Sequence, residues 1–307
     1  CVLLSLLAFF FLNDTATAVV YTRSLPDALP ISRIVNCCGF DSIPSDLGVK
    51  FLQGQAQQQF GRYCDRVKMR VLVMKGGASG GTMASGMNIY KEAAGNRALQ
   101  AELKDPYSLC GENYDRRLSQ HDVSVEYDED FNAWTGPFVM AAINTRVVLR
   151  SNAIAVHPYG GEFFYDEGML TGAGSKGKKR ARRLSFATRV MAVALKLSLI
   201  RWFAARFLLP KPGEGPSPQQ QENGHYDLRF VGRTVRGEVI RTRVTGDKDP
   251  GYGSTAKMLA QAGISLRRDV DKDALAGGFW TPATAFDDRL IQRLQSHAGM
   301  KFEILDD

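Results

Sequence analysis

An apolar strand that breaks at a glycine and re-forms at once as a helix limits this chain to folds in which a strand's carboxyl end feeds a helix. Residues Ile34 to Phe51, IVNCCGFDSIPSDLGVKF, read that way. Ile34, Val35 and the adjacent Cys37-Cys38 make the strand, Gly39 to Pro44 the turn, and Leu47 onward the helix. Such units build α/β sheets, whose ligands gather beyond the carboxyl ends of the strands. Two readings of the turn stand side by side. Asp41, Ser42, Ser45 and Asp46 either cap the helix, as short polar side chains do, or face a ligand held there.

What lies upstream has little of a fold. Cys1 to Leu12 is apolar but has no initiator Met and no basic flank, and it is too short to span a bilayer, which takes about 20 apolar residues. Asn13 to Ser32 closely resembles the translated sequence of a common sequencing adaptor. Residues 1–32 are therefore expected to be a non-native or disordered extension. A secretory leader cleaved near Ala16-Thr17-Ala18 is the alternative.

Composition narrows the class. A chain of 307 residues, 44% apolar and 23% charged, has the make-up of a globular protein rather than a disordered one. Its five cysteines show no C-x-x-C pair and no Cys/His metal spacing, which points to reduced, buried thiols in a cytoplasmic protein without a metal. A net charge of +7 favours association with a polyanion or an anionic membrane.

Downstream, Leu47 to Phe60 reads as a helix fading into the Gln-rich stretch Gln53 to Gln59. Arg66 to Met74 alternates as a half-buried strand, with Val67, Met69, Val71 and Val73 inward and Lys68 and Arg70 outward. A glycine-rich turn, Lys75 to Ser85, leads into a helical pattern from Met87 to Leu103. Its spacing is neither a dinucleotide fingerprint nor a phosphate loop, so it is either a packing turn or a backbone cradle for a ligand. In the helical run Phe138 to Ser151, Arg146 and Arg150 lie one turn apart, on a solvated edge or as a clamp for an anion.

Gly172 to Arg183 reads as a flexible basic arm, followed by one long helix from Leu184 to Leu209 ended by Pro210. Cations inside this helix make it a poor span. The arm's Lys178, Lys179, Arg180, Arg182 and Arg183, with Trp202, suit the headgroup region of an anionic membrane; packing on the same domain or in a homodimer competes with that reading. No nucleic-acid-binding pattern is present. Tyr226–Val231 and Thr234–Thr245 read as paired strands turning near Gly232-Arg233, Asp249 to Thr255 as a turn into a helix from Ala256 to Gly263, and Thr281-Pro282 as the start of a last helix. Met300 to Leu305 reads as a closing strand.

Gly39-Phe40-Asp41-Ser42-Ile43-Pro44-Ser45-Asp46-Leu47-Gly48 resembles the signature block of the saccharopine dehydrogenase-like oxidoreductases, the family that includes the trans-acting enoyl reductases of mycobacterial lipid synthesis. Ser79 to Thr82, Asn144-Thr145-Arg146, Gly213 to Ser217, Asp249 to Gly253 and Gly277 to Ala283 occur in that family's order. The resemblance covers nearly all of Ile34 to Leu305. It implies an α/β protein: a C-terminal remnant of a Rossmann domain over 33–65, and a mixed-sheet α/β substrate domain over 66–307, within which falls the basic membrane-associating helix read above, at 176–209. It implies NADP or NAD in the intact relative, met by Gly39, Phe40, Asp41, Ser42 and Ser45. A lipid-like or acyl enoyl substrate would be met by Gly80, Gly81, Thr82 and Arg146. In the family a complete Rossmann unit precedes the block. Here none does, so the chain by itself is expected to bind no cofactor and to be inactive, with an unpaired edge beside Ile34 to Cys37 that favours a homodimer. No catalytic acid stands out. His121, His157, His225 and His297 sit in unrelated contexts, and Tyr159 and Tyr165 suit either proton donation or core packing. The expected location is cytoplasmic, peripheral on the inner face of the plasma membrane. The alternative function is a non-catalytic, membrane-associated lipid-metabolism or scaffold protein.

Overall fold

The structure is a computed structural model that describes residues 32–77, 79–111, 118–195, 197–207, 210 and 214–306. The expectations for residues 1–31 lie outside them.

β1 (Arg33–Val35) is shorter than the apolar run, and Cys37-Cys38 falls in the turn beyond it, Cys37 at φ 60°. α1 (Ile43–Phe60) begins before Leu47 because Pro44 stands in its first turn, where a missing N–H costs nothing. It buries Ile43, Leu47 and Leu52 completely, each contributing roughly 1.5–3 kcal/mol. The glutamines do not fray it. Gln53 is buried, with Nε2 donating to the Cys64 carbonyl (2.8 Å) and Oε1 accepting from the Cys64 N–H (2.7 Å). Burial pushes the Cys64 thiol up to about 12, which makes it an inert packing group.

Seven strands form the main sheet, in the order β3-β4-β5-β2-β6-β7-β9. They are β2 (Arg66–Lys75), β3 (Glu126–Asp128), β4 (Ala133–Pro137), β5 (Phe164–Gly172), β6 (His225–Arg233), β7 (Val239–Gly246) and β9 (Met300–Ile304). β2 and β5 are parallel and the other neighbours antiparallel, so the sheet is mixed. β1 pairs in parallel with β8 (Gly278–Trp280), which occupies one of its edges. The class is α/β, and the β1–β8 pair feeding α1 is compatible with a Rossmann-type remnant. A single core cluster runs from Cys38 through α1 and the inner face of β2 to Phe302, across the 65/66 position. The other face of β2 is covered at Lys68 and Arg70, whereas Leu72 and Met74 on it are exposed, and so is Val73, expected inward, beyond the irregularity at Val71/Val73. Arg70 is 1% exposed and donates to Asp128 and Asp166, while Lys68 pairs with Asp130 at 2.7 Å. Asp166 comes from the adjacent β5, Asp128 from the end of β3 and Asp130 from the β3–β4 turn, and a buried cation persists only when paired in this way.

The remaining helices are α2 (Gly80–Ala94), α3 (Arg97–Glu102), α4 (Ala141–Ile154), α5 (Gly174–Ala194), α6 (Ser198–Phe207), α7 (Pro218–Glu222), α8 (Gly253–Arg268), α9 (Pro282–Ala285) and α10 (Asp287–His297). The basic arm expected to be flexible is the first half of α5, and the single long helix expected after it is broken at Leu195–Leu197 into α5 and α6. Small residues explain the order. Gly177, Ala181 and Ser185 form a buried row on the side of α5 that meets β4 and β5, and Ala192 further along packs with Ile89, Ala93, Ile143 and Val147 instead. A Cβ at Gly177 would lie 1.8 Å from the Gly172 carbonyl oxygen. The Pro/Gly/Gln connection contains α7, started by a capping box between Ser217 and Gln220. Gly232 and Arg233 remain in the β6–β7 ladder, so that hairpin turns over 234–238. No helix among the described residues is long and apolar enough to cross a membrane.

Candidate functional site

The turn between β1 and α1 is tied to the rest of the chain by its own polar atoms. The Gly39 carbonyl accepts from the Ser42 and Ile43 N–H groups, and the Phe40 N–H donates to Thr255 Oγ1 at 3.0 Å. Thr255 in turn donates to the Pro250 carbonyl, while the Phe40 ring meets Tyr226 edge-on with centroids 4.8 Å apart. Ser42 precedes the helix, but its hydroxyl makes no capping bond.

The side chains of Ser42, Ser45 and Asp46 cross to other elements instead. Ser42 Oγ donates to Asn144 Oδ1 (3.1 Å) on α4, and Asn144 Nδ2 donates to Glu167 Oε2 (2.9 Å) on β5. Tyr165 Oη donates to Glu167 Oε1 at 2.6 Å, and Ser45 bonds both Tyr165 and Glu167. Asp46 accepts from Ser151 Oγ (2.5 Å) and from the Ala283 N–H (2.8 Å), and Ser151 also meets Thr281 Oγ1 at 2.7 Å. The block thus binds the Asn144 motif and the Thr281-Pro282-Ala283 motif into one buried network.

Burial dominates its electrostatics. It raises the Glu167 carboxyl to about 7, against hydrogen bonds from Tyr165, Ser45 and Asn144 that act the other way. It raises Asp46 to about 6, again against its hydrogen bonds. Tyr165 is pushed well above the ordinary phenol range, by burial and by Glu167. Burial therefore holds Glu167 far closer to its protonated form at neutral pH than an exposed glutamate.

Glu167 also borders open space. It lines a recess of about 30 Å³ with His121, Asp122, Phe138, Thr145 and Thr188. A larger cavity of about 350 Å³ beside it shares His121, Asp122, Ala142 and Thr145, and adds Lys104, Tyr107, Gln120 and Arg146. Arg146 is no solvated edge. It is 5% exposed and donates to the Leu103 (2.7 Å), Asp105 (3.2 Å) and Ala142 carbonyls. Desolvation lowers it to about 10, so it keeps its charge at pH 7. Arg150 donates to the Leu109 and Phe279 carbonyls, at 2.5 and 2.9 Å, and holds loops together.

Among the other residues singled out from sequence, Phe40, Ser42 and Ser45 are buried, while Gly39 and Asp41 are partly exposed. Gly80 and Gly81 form the first turn of α2, and the side chain of Thr82 lies outside the described atoms. The Gly80 N–H donates to the Glu214 carbonyl (2.8 Å), which also accepts from Tyr252 Oη (3.0 Å). A Cβ at Gly77 would press on Pro216, and one at Gly251 would meet the Gly77 carbonyl oxygen at 2.3 Å. The glycine-rich turn therefore packs closely on the two later glycine motifs. No hydrogen bond among the described residues links Gly80 or Gly81 to the Glu167 network. Sequence reasoning considered Tyr165 but missed Glu167, although two residues apart on one strand they must share a face.

Fold and site together define an α/β protein with a proton-bearing buried acid at the wall of a cleft. The protein named "Putative trans-acting enoyl reductase Rv2449c" of Mycobacterium tuberculosis is 32% identical over 294 residues, covering 89% of this chain and 67% of the relative. Proteins named trans-acting enoyl reductase from Mycobacterium bovis and Mycobacterium ulcerans are each 33% identical, over 86% of this chain and 65% of their own length. The chain belongs to the trans-acting enoyl reductase family, and it spans about two thirds of the length of these relatives. No family model matches the chain, and no solved structure does.

Proposed function

We propose that this chain is the substrate-handling part of an NAD(P)-dependent reductase of lipid or polyketide-type enoyl groups, a saccharopine dehydrogenase-like oxidoreductase. Within the structure one observation supports the reading above others: the signature block, Asn144 and Tyr165 all converge on Glu167, beside the cavity. Relatives named for catalysis leave the scaffold alternative without an observation in its favour.

The turn at Gly39 to Ser45 fits the nicotinamide end of a dinucleotide rather than its phosphates. Gly39 and Asp41 are partly exposed and would touch the cofactor, whereas the N–H groups of Phe40, Ser42 and Ile43 are already engaged inside the protein. Phe40, Ser42 and Ser45 act from behind, holding the turn. A reduced nicotinamide supplies hydride when bound. Glu167 holds the proton that the neighbouring carbon needs, with Tyr165 and Asn144 fixing its two oxygens. Arg146 presents a buried cation to the oxygen end of an acyl group in the cavity, and Gly80, Gly81 and Thr82 meet the substrate further along.

The phosphate grip belongs, on this reading, to the third of the relatives' length that the match leaves out. Titrating the chain with NADPH, followed by nicotinamide fluorescence, is expected to give no saturable micromolar binding and no turnover of an enoyl thioester. Supplying the missing portion of the Mycobacterium tuberculosis relative should give both. Glu167→Gln should then lower kcat by about 10²–10⁴, the usual worth of a positioned acid, with little change in NADPH affinity. Unchanged kcat in that variant would remove Glu167 from the chemistry.

A further inference from the structure

From Gly168 to Gly213 the sequence holds eleven Lys or Arg and no Asp or Glu. Folding sorts this stretch into two faces. The buried row of Gly177, Ala181 and Ser185 faces the sheet, and Ala192 on the same side packs against Ile89, Ala93, Ile143 and Val147. Opposite it, at helical spacing, run Lys179, Arg183, Phe186, Val190 and Val193, with Phe186 70% exposed. α6 carries the apolar surface onward. None of its side chains whose burial is described is buried, and Leu199 and Trp202 are 77% and 61% exposed. Trp202 and Phe203 both stack towards Phe207, with centroids 6.0 and 5.0 Å away, forming an aromatic knob at the surface. Soluble surfaces rarely expose so many large apolar side chains along two successive helices without a partner.

The charges decide which partner. Lys179, Arg180, Arg182 and Arg183 are exposed, and among the described residues no carboxylate lies within ion-pair distance of them. A second copy meeting this face through itself would set two acid-free cationic segments against each other. An anionic bilayer satisfies both halves at once, taking bulky apolar groups at the acyl boundary and cations at the phosphates. We propose that the α5–α6 surface docks on an anionic lipid surface, with Phe186, Leu199, Trp202 and Phe203 inserted and Lys179, Arg180, Arg182 and Arg183 against the headgroups. Lys178 contributes less, because its Nζ lies over the Trp134 ring at 4.5 Å. This docking does not depend on the reductase reading, and it would hold a reductase of lipid-like substrates beside them.

The test is co-sedimentation of the full chain with vesicles of phosphatidylcholine and phosphatidylglycerol in equal parts, and with phosphatidylcholine alone. Binding is expected only to the mixed vesicles and should weaken with salt. Changing Lys179, Arg180, Arg182 and Arg183 together to Gln should lower partitioning by about a hundredfold or more. Leu199→Ser with Phe203→Ser should lower it with the charge intact. These side chains are exposed, so the variants should keep the wild-type circular dichroism. Should one misfold, brominated acyl chains give an independent reading on the native surface: they should quench tryptophan fluorescence in the wild type, and the quenching should vanish in Trp202→Phe. Equal binding to both vesicles, or no quenching, overturns the proposal. So does a homodimer or a captured acidic protein that is lost in the same variants while vesicles remain unbound.

Discussion

Burial raises the folded-state pKa of Glu167 from 4.5 to about 7, so the folded chain prefers the protonated acid. The stability this confers is whole below about pH 4.5 and is lost as pH rises through about 7; Asp46 adds a similar loss through about 6. At about 1.36 kcal/mol per unit, the Glu167 contribution is on the order of 3 kcal/mol. Denaturant unfolding between pH 5 and 8 should show stability falling, and Glu167→Gln should flatten the upper part of that fall. An identical slope in wild type and variant would mean that the acid is ionised throughout. Asp249 makes a second prediction. Its carboxylate accepts from the N–H groups of Gly251, Tyr252 and Gly253, at 2.9, 3.1 and 2.7 Å, where α8 begins. Asp249→Ala should cost about 1–3 kcal/mol by leaving them unpaired, read as a lower unfolding midpoint. At this scale the sequence was legible where partners are local. The i, i+2 relation of Tyr165 and Glu167 could be read from a strand's period, whereas Ser42 with Asn144 and Asp46 with Ala283 join residues far apart in the chain, and no local pattern announces them.

Among the elements, α5 shows how local composition misleads. Lys and Arg packed between glycines read as a solvated arm, yet both are good helix formers, and the buried row Gly177-Ala181-Ser185 needed only a partner surface, which β4 and β5 supply. Gly177→Ala tests that account. Helix propensity alone would stabilise the variant by about 1 kcal/mol, but its Cβ has no room beside the Gly172 carbonyl, so a net loss of about 1–3 kcal/mol is expected in thermal or denaturant unfolding. A gain would mean that α5 sits further from β5. β2, β6 and β9 were legible from alternation within two residues of their ends, whereas β7 begins five residues later than read and β3, β4 and β5 were not read as strands at all. The covering of Arg70 was not legible, because alternation cannot tell an outward side chain from one that meets carboxylates brought in from β3 and β5.

For the molecule as a whole, a chain starting at Ser32 is expected to unfold at the same midpoint as the longer one; a lower midpoint would show that residues 1–31 belong to the fold. The α/β class and the family could be read from the ordered motifs. The joining of the first described elements to the last could not. β1 pairs with β8, and α1 packs on β7 and β9, with Phe51 and Phe302 ring to ring at 5.8 Å. That closure sets a timetable for synthesis. α1 leaves the ribosome some 240 residues before Phe302, and at about 5–20 residues per second it waits roughly ten seconds to most of a minute for its seat to exist. α4 and β6 arrive earlier and cover part of its apolar side, but the strip that meets Phe302 has only water or a chaperone to face, and a stop codon anywhere before Met300 would leave that wait without an end.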